Sequence, residues 1–122
     1  MNFSDRVLSP EMLTVYGIKQ CDTCRKALKW LTAQGIEHQF HDFRIDGLQA
    51  AMLQGWLETP FAGKLVNRRS TTWRQLSDEQ RQYEGEALLG LLLEHPTLIK
   101  RPVFVKENIF AVGFNPKELA EL

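Results

Sequence analysis

The sequence predicts an α/β fold in which a βαβ unit opens the domain, a ββα unit closes it, and a helical stretch is inserted between them. Three observations support this. The chain's two cysteines, Cys21 and Cys24, stand at CxxC spacing where a short β-branched and aromatic run gives way to helical periodicity. Residues 47–95 keep a helical repeat of leucine and tryptophan, and residues 102–106 and 109–113 then return to short apolar runs of strand character.

The first strand is read at residues 13–16, Leu13-Thr14-Val15-Tyr16, and ends at Gly17. A helix follows over residues 23–34, with Asp22 and Thr23 as N-cap candidates, Cys24, Ala27, Leu28 and Leu31 at helical spacing, and a break at Gly35. Residues 37–43 form the second strand, where Ile36, His38, Phe40 and Asp42 alternate with Glu37, Gln39, His41 and Phe43. A helix of about three turns between them makes these strands parallel neighbours with a right-handed crossover. Within the insertion, Leu48, Met52 and Trp56 recur with Leu53 and Leu57, a short piece follows Pro60, and Trp73 and Leu76 precede the run EGEALLGLLL at 84–93. The last two strands are expected to join through a two-residue turn at Glu107-Asn108, and Asn115 or Pro116 starts a final helix over residues 117–122.

The position of the CxxC pair dictates its chemistry. Cys21 falls at or just before a helix N-terminus, where unpaired N–H groups and the helix dipole favour thiolate over thiol, and Lys19, Arg25 and Lys26 add positive charge nearby. Cys24, one turn further on the apolar side, is expected to be more buried and less nucleophilic. Two cysteines cannot complete a four-ligand zinc site, and His38, His41 and His95 are too scattered to supply the other pair. A CxxC bridge also closes too small a loop to stabilise much as a static disulfide. The spacing suits a disulfide that opens and closes.

With 122 residues, 43% hydrophobic and 25% charged, the chain can bury a core without staples. Lys and Arg (15) balance Asp and Glu (15), so no net field favours nucleic acid or an anionic membrane. Trp30, Trp56 and Trp73 lie at apolar positions of three different helices and read as packing residues. His41 beside Asp42 reads as structural. No segment approaches the roughly 18 apolar residues of a membrane span, and the N-terminus lacks a signal-like apolar run, so a cytoplasmic protein is expected. Residues 1–11 read as a flexible extension, or as the product of a start upstream of Met12, with one domain over residues 12–122. There is no glycine-rich phosphate loop, so no bound cofactor or metal is expected.

Five segments together resemble a known family: YGIKQCDTCRKALKWL at 16–31, HDFRIDGL at 41–48, NRRSTTWRQL at 67–76, EHPTLIKRPVFV at 94–105 and VGFNPKEL at 112–119. They are similar to the thioredoxin-fold group that contains arsenate reductase (ArsC), the Spx regulators and the YffB-type proteins, and are closest to the YffB-type branch. The resemblance implies a thioredoxin-like core with the helical insertion between its halves. It implies that Cys21 is the nucleophile, that Arg101 holds an oxyanion near its sulfur, and that Pro102 is a cis proline facing it. The family's middle arginine position falls on Asn67, Arg68 or Arg69, and its last one on Phe114 or Asn115. A guanidinium suits an oxyanion or carboxylate, which makes Arg69 the candidate beside Arg101; an asparagine at 115 donates a hydrogen bond without charge. The resemblance implies glutathione as co-substrate, glutaredoxin as a partner, and an oxidised sulfur or arsenate as substrate, with Cys24 as a second redox thiol. The other function it implies is an Spx-like redox regulator binding the RNA polymerase α subunit, to which CxxC and the Arg69-Ser70 step also point.

Overall fold

The computed structural model describes residues 12–120; the expected flexible extension at 1–11 lies outside the described residues. The strands β1 (Leu13–Gly17), β2 (His38–Asp42), β3 (Val103–Lys106) and β4 (Asn108–Val112) form one sheet in the order β2-β1-β3-β4. β1 and β2 run parallel, Leu13 opposite His38 and Gly17 opposite Asp42, joined by the crossover helix α1 (Asp22–Ala33). β3 runs antiparallel to β1, with Val15 opposite Phe104, and β4 antiparallel to β3. This is the thioredoxin-like arrangement of a βαβ and a ββα half.

The expected two-residue turn at Glu107-Asn108 is corrected. Lys106 pairs directly with Asn108, so Asn108 belongs to β4 and Glu107 alone makes the turn, at φ 68°. The β3–β4 ladder also shifts register between Phe104 and Val105, leaving one extra residue on the β4 side. The shift has a packing consequence: Ile109 and Val112 serve one face of the sheet and Ala111 the other.

Each face carries its own core. On one, Leu13, Val15, Phe104 and Ala111 pack against Ala27 and Leu31 of α1 and Leu119 of the terminal helix α6 (Pro116–Leu119). On the other lies the insertion: α2 (Ala50–Leu57), α3 (Ala62–Leu65), α4 (Thr71–Arg74) and α5 (Gly85–Glu94), with 3-10 turns at Gln80–Gln82 and Pro96–Leu98. Its residues Leu53, Trp56, Leu65, Leu91 and Leu92 bury Val103, Ile109 and Val112. Of the three tryptophans only Trp56 is fully buried; Trp30 and Trp73 are half-buried, at the edges of the two cores. The insertion is stitched to the sheet by a bridge between Val66 and Ile99, flanked by Asn67 N–H to the Leu98 carbonyl and Lys100 N–H to the Leu65 carbonyl, both 2.7 Å. That bridge sets Lys64 and Asn67 beside Lys100 and Arg101. Among the described residues no helix is long and apolar enough to cross a membrane.

Candidate active site

Cys21 is itself the N-cap of α1, extended at φ −82° and ψ 123°, where Asp22 or Thr23 was expected; Asp22 is the first helical residue. A thiol is too poor an acceptor to cap with its side chain, and no side-chain cap bond is made. The consequence is chemical: the sulfur stands at the positive end of a three-turn helix. Cys21 is half-exposed, whereas Cys24 is fully buried on the inner face.

The two thiols are driven apart in acidity. Burial pushes the Cys21 thiol up, but the Cys24 backbone N–H, the Arg101 side chain and the Cys24 thiol all hydrogen-bond the sulfur, and the Arg101 charge adds to them. The net result lies below the usual cysteine value. Cys24 moves the other way, to about 12, because burial outweighs a hydrogen bond from the Ile18 backbone and the neighbouring Cys21 opposes a second negative charge. Cys21 is the more acidic thiol of the pair and Cys24 its protonated neighbour.

Arg101 supplies this charge; the lysines and arginine around the motif do not. Arg25 is occupied by the Lys19 carbonyl at 3.2 Å and by an exposed pair with Asp22 at 3.4 Å. Arg101 donates from Nη1 to the carbonyls of Thr97 (3.1 Å) and Ile99 (3.4 Å), and its Nε–H is buried with no hydrogen-bond partner among the described residues. A bound anion would satisfy that donor. The Arg101–Pro102 bond is cis, and the buried Pro102 is fixed by Gly113 N–H to its carbonyl at 2.7 Å.

The loop from β1 to Cys21 is set by Asp42 and Gly17 in roles that the sequence did not assign them. Asp42, 4% exposed at the end of β2, accepts from the backbone N–H groups of Lys19 (2.7 Å), Arg44 (2.7 Å) and Ile45 (3.3 Å). Burial raises its pKa, but these three donors and the Arg44 charge bring it below the usual aspartate value. Cys21 N–H closes the turn onto the Ile18 carbonyl at 3.0 Å. Gly17 matters for a different reason: a Cβ there would run into the Cys24 sulfur. His41 bonds the Gly47 carbonyl at 2.7 Å and lies tilted at 44° against the Tyr16 ring, centroids 4.9 Å apart.

A cleft of about 470 Å³ opens at this end of α1, lined by Thr23, Lys64, Asn67, Lys100, Arg101 and residues 112–115 with Glu118. Asn115 is in its wall, and also caps α6: its Oδ1 accepts from Lys117 N–H at 3.0 Å and its Nδ2 donates to Glu118 at 3.3 Å. Arg69 is not among the lining residues. Its exposed backbone turns back on Asn67, whose Oδ1 accepts the Arg69 N–H at 3.1 Å, so Asn67 takes the place in the wall. Arg68 lies 5.5 Å over the Trp73 ring. Lys64 and Lys100 were not anticipated. Lys100 adjoins the Arg101-Pro102 motif in sequence, whereas Lys64 reaches the cleft only through the bridge at Val66.

An acidic cysteine at a helix N-cap, a buried cysteine three residues on, and an arginine before a cis proline define a thiol-chemistry protein of thioredoxin-like fold. The ArsC family model matches residues 16–122. A solved structure of a YffB protein is similar at 34% identity with a TM-score of 0.81, covering 90% of this chain and 97% of that one. An arsenate reductase (ArsC) related protein from Brucella melitensis is similar at 38% identity and TM-score 0.71, covering 90% and 92%. The regulatory protein MgsR of Bacillus subtilis is 32% identical over 92% of this chain and 90% of its own length. The chain belongs to the ArsC family.

Proposed function

We propose that the protein is a thiol-dependent reductase, with Cys21 attacking an oxidised sulfur or arsenic centre and glutathione supplying electrons. The carrying observation is the acidity gap within one CxxC motif: Cys21 lowered and facing Arg101, Cys24 raised to about 12. In the disulfide case the Cys21 thiolate attacks one substrate sulfur, the substrate S–S bond breaks, and the other half leaves as thiolate. The mixed disulfide on Cys21 is then attacked by glutathione, or by Cys24 after loss of its proton, which releases the second thiolate and leaves a disulfide on the attacking thiol. Arg101 keeps Cys21 ionised and offers its unsatisfied Nε–H to an anionic group, while Pro102 forms the opposing wall. Asn115 donates without charge.

The test is NADPH consumption with glutathione, glutathione reductase and glutaredoxin, comparing arsenate with a small disulfide and using Cys21→Ser as the blank. Cys21-dependent turnover is expected, and full activity of the serine variant would sink the mechanism.

A second reading is favoured by one observation, the likeness to MgsR, a regulatory protein, together with two free thiols positioned to bridge. In that reading the pair senses oxidants, and the partner is the RNA polymerase α subunit. An oxidation-dependent complex with that subunit, without turnover, would establish it.

A further inference from the structure

We infer that Thr72 and Thr97 are positioning residues for the site: the bond between their hydroxyls fixes the turn whose carbonyls hold the Arg101 guanidinium beside Cys21. This rests on the reading of Cys21 as the attacking thiolate and names what keeps its cation in place.

Among the described residues no carboxylate pairs with Arg101. Its guanidinium is ordered by backbone instead, Nη1 donating to the carbonyls of Thr97 at 3.1 Å and Ile99 at 3.4 Å. The buried Nε–H has no partner and adds nothing to hold the group. The guanidinium therefore goes where the segment 97–99 goes, and hydrogen bonds of this kind weaken steeply as distance and angle drift.

That segment is anchored differently at successive residues. Leu98 is held through its backbone: its carbonyl accepts from Asn67 N–H at 2.7 Å, and its N–H donates to the His95 carbonyl at 2.9 Å. Thr97 is held through its side chain, with Oγ1 2.7 Å from Thr72 Oγ1, the ordinary length of an O–H···O bond, at a half-buried place. Thr72 stands on a fixed base. It lies in the first turn of α4, whose N-cap Ser70 accepts from Trp73 N–H at 3.1 Å and donates to the Asn67 carbonyl at 2.8 Å. A line of bonds thus runs from Asn67 through Ser70, α4 and the two threonines to Arg101, and both of its ends line the cleft. The threonines themselves are not among the lining residues, so they act through Arg101. Valine matches threonine in shape, which lets a substitution remove this bond and leave most of the packing.

The experiment follows iodoacetamide alkylation of Cys21 against pH in the reduced full chain, for wild type, Thr72→Val, Thr97→Val, the double variant and Thr97→Ser. The same threonine changes are made in Arg101→Gln, and urea unfolding is measured throughout. Each Thr→Val change is expected to move the profile about half a unit to higher pH, roughly a threefold loss of thiolate, within what one neutral hydrogen bond is worth. The double variant should move no further than the larger single one, since both remove the same bond. Thr97→Ser should keep the wild-type profile, and in Arg101→Gln none of the changes should move it. Lost stability with an unmoved profile overturns the inference and leaves the reductase reading standing, because the bond would then serve the fold alone. A shift of the same size in Arg101→Gln also overturns it, because the effect would reach Cys21 by another route. An Arg101-dependent shift without Cys21-dependent turnover of bis(2-hydroxyethyl) disulfide supports the positioning role and removes the reductase reading instead.

Discussion

Gly17→Ala tests how the CxxC pair is housed. The added methyl falls inside the contact distance of the Cys24 sulfur, with Cys24 Cβ and Phe40 Cε1 at 3.6 and 3.5 Å. The sulfur cannot swing away, because Cys24 is 0% exposed. Overpacking of this kind costs about 1–3 kcal/mol. Replacing glycine also stabilises by about 0.4–1 kcal/mol through the unfolded chain, since Gly17 is not in the left-handed region. The net loss is therefore up to about 2.6 kcal/mol, a fall in Tm of up to about 10 °C for a chain of this size. Cys24→Ala removes the sulfur and leaves Cys24 Cβ at an ordinary contact distance, so Gly17→Ala in that background should be neutral or slightly stabilising. Urea unfolding of wild type, both single variants and the double variant under reducing conditions gives the coupling energy directly. An equal loss in both backgrounds would refute the reasoning, because the cost would then belong to the β1 backbone and not to the sulfur.

Two further outcomes concern charge. Native alkylation at neutral pH should modify Cys21 alone, and its rate profile should move to higher pH in Arg101→Gln because the cation favouring the thiolate is gone; an unmoved profile would assign the low pKa to the helix terminus instead. Asp42 has a folded pKa below its unfolded value, so its stabilisation is complete above the usual aspartate range and is lost as pH falls through the folded value. Asp42→Asn should thus be less stable than wild type at pH 7, with the gap closing in acid, and a gap independent of pH would show that only the hydrogen-bond geometry matters.

Much of the fold was legible because its signals are local. The alternation and flanking glycines marked β1 and β2 to within a residue or two, and the stripe Cys24, Ala27, Leu31 marked the buried face of α1. Asn115 could be read as a cap from its own chemistry and the proline after it. The turn at Glu107 was misread because a composition rule counts residues between apolar runs, whereas the observed pairing of Lys106 with Asn108 depends on the register shift further along β3. The N-cap was misread for a related reason: Asp22 has the better capping side chain, but the turn closed by Cys21 N–H onto Ile18 starts the helix one residue earlier.

The sequence by itself determined the thioredoxin-like order of elements and put Cys21 at the start of α1, Cys24 on its inner face and the Arg101-Pro102 step before β3, since each is a residue type at a spacing whose signal is local. Only the tertiary structure decided what surrounds them. Arg69 lies outside the cleft and Asn67 within it because the Val66–Ile99 bridge sets the orientation of that segment, and Lys64 and Lys100 become neighbours across the same bridge. Asp42 holds the loop before Cys21 because parallel pairing puts the end of β2 beside Gly17. These are relations between residues more than twenty positions apart. Which side chains share a cleft is set by how sheet and insertion pack, and no periodicity within one segment carries that information.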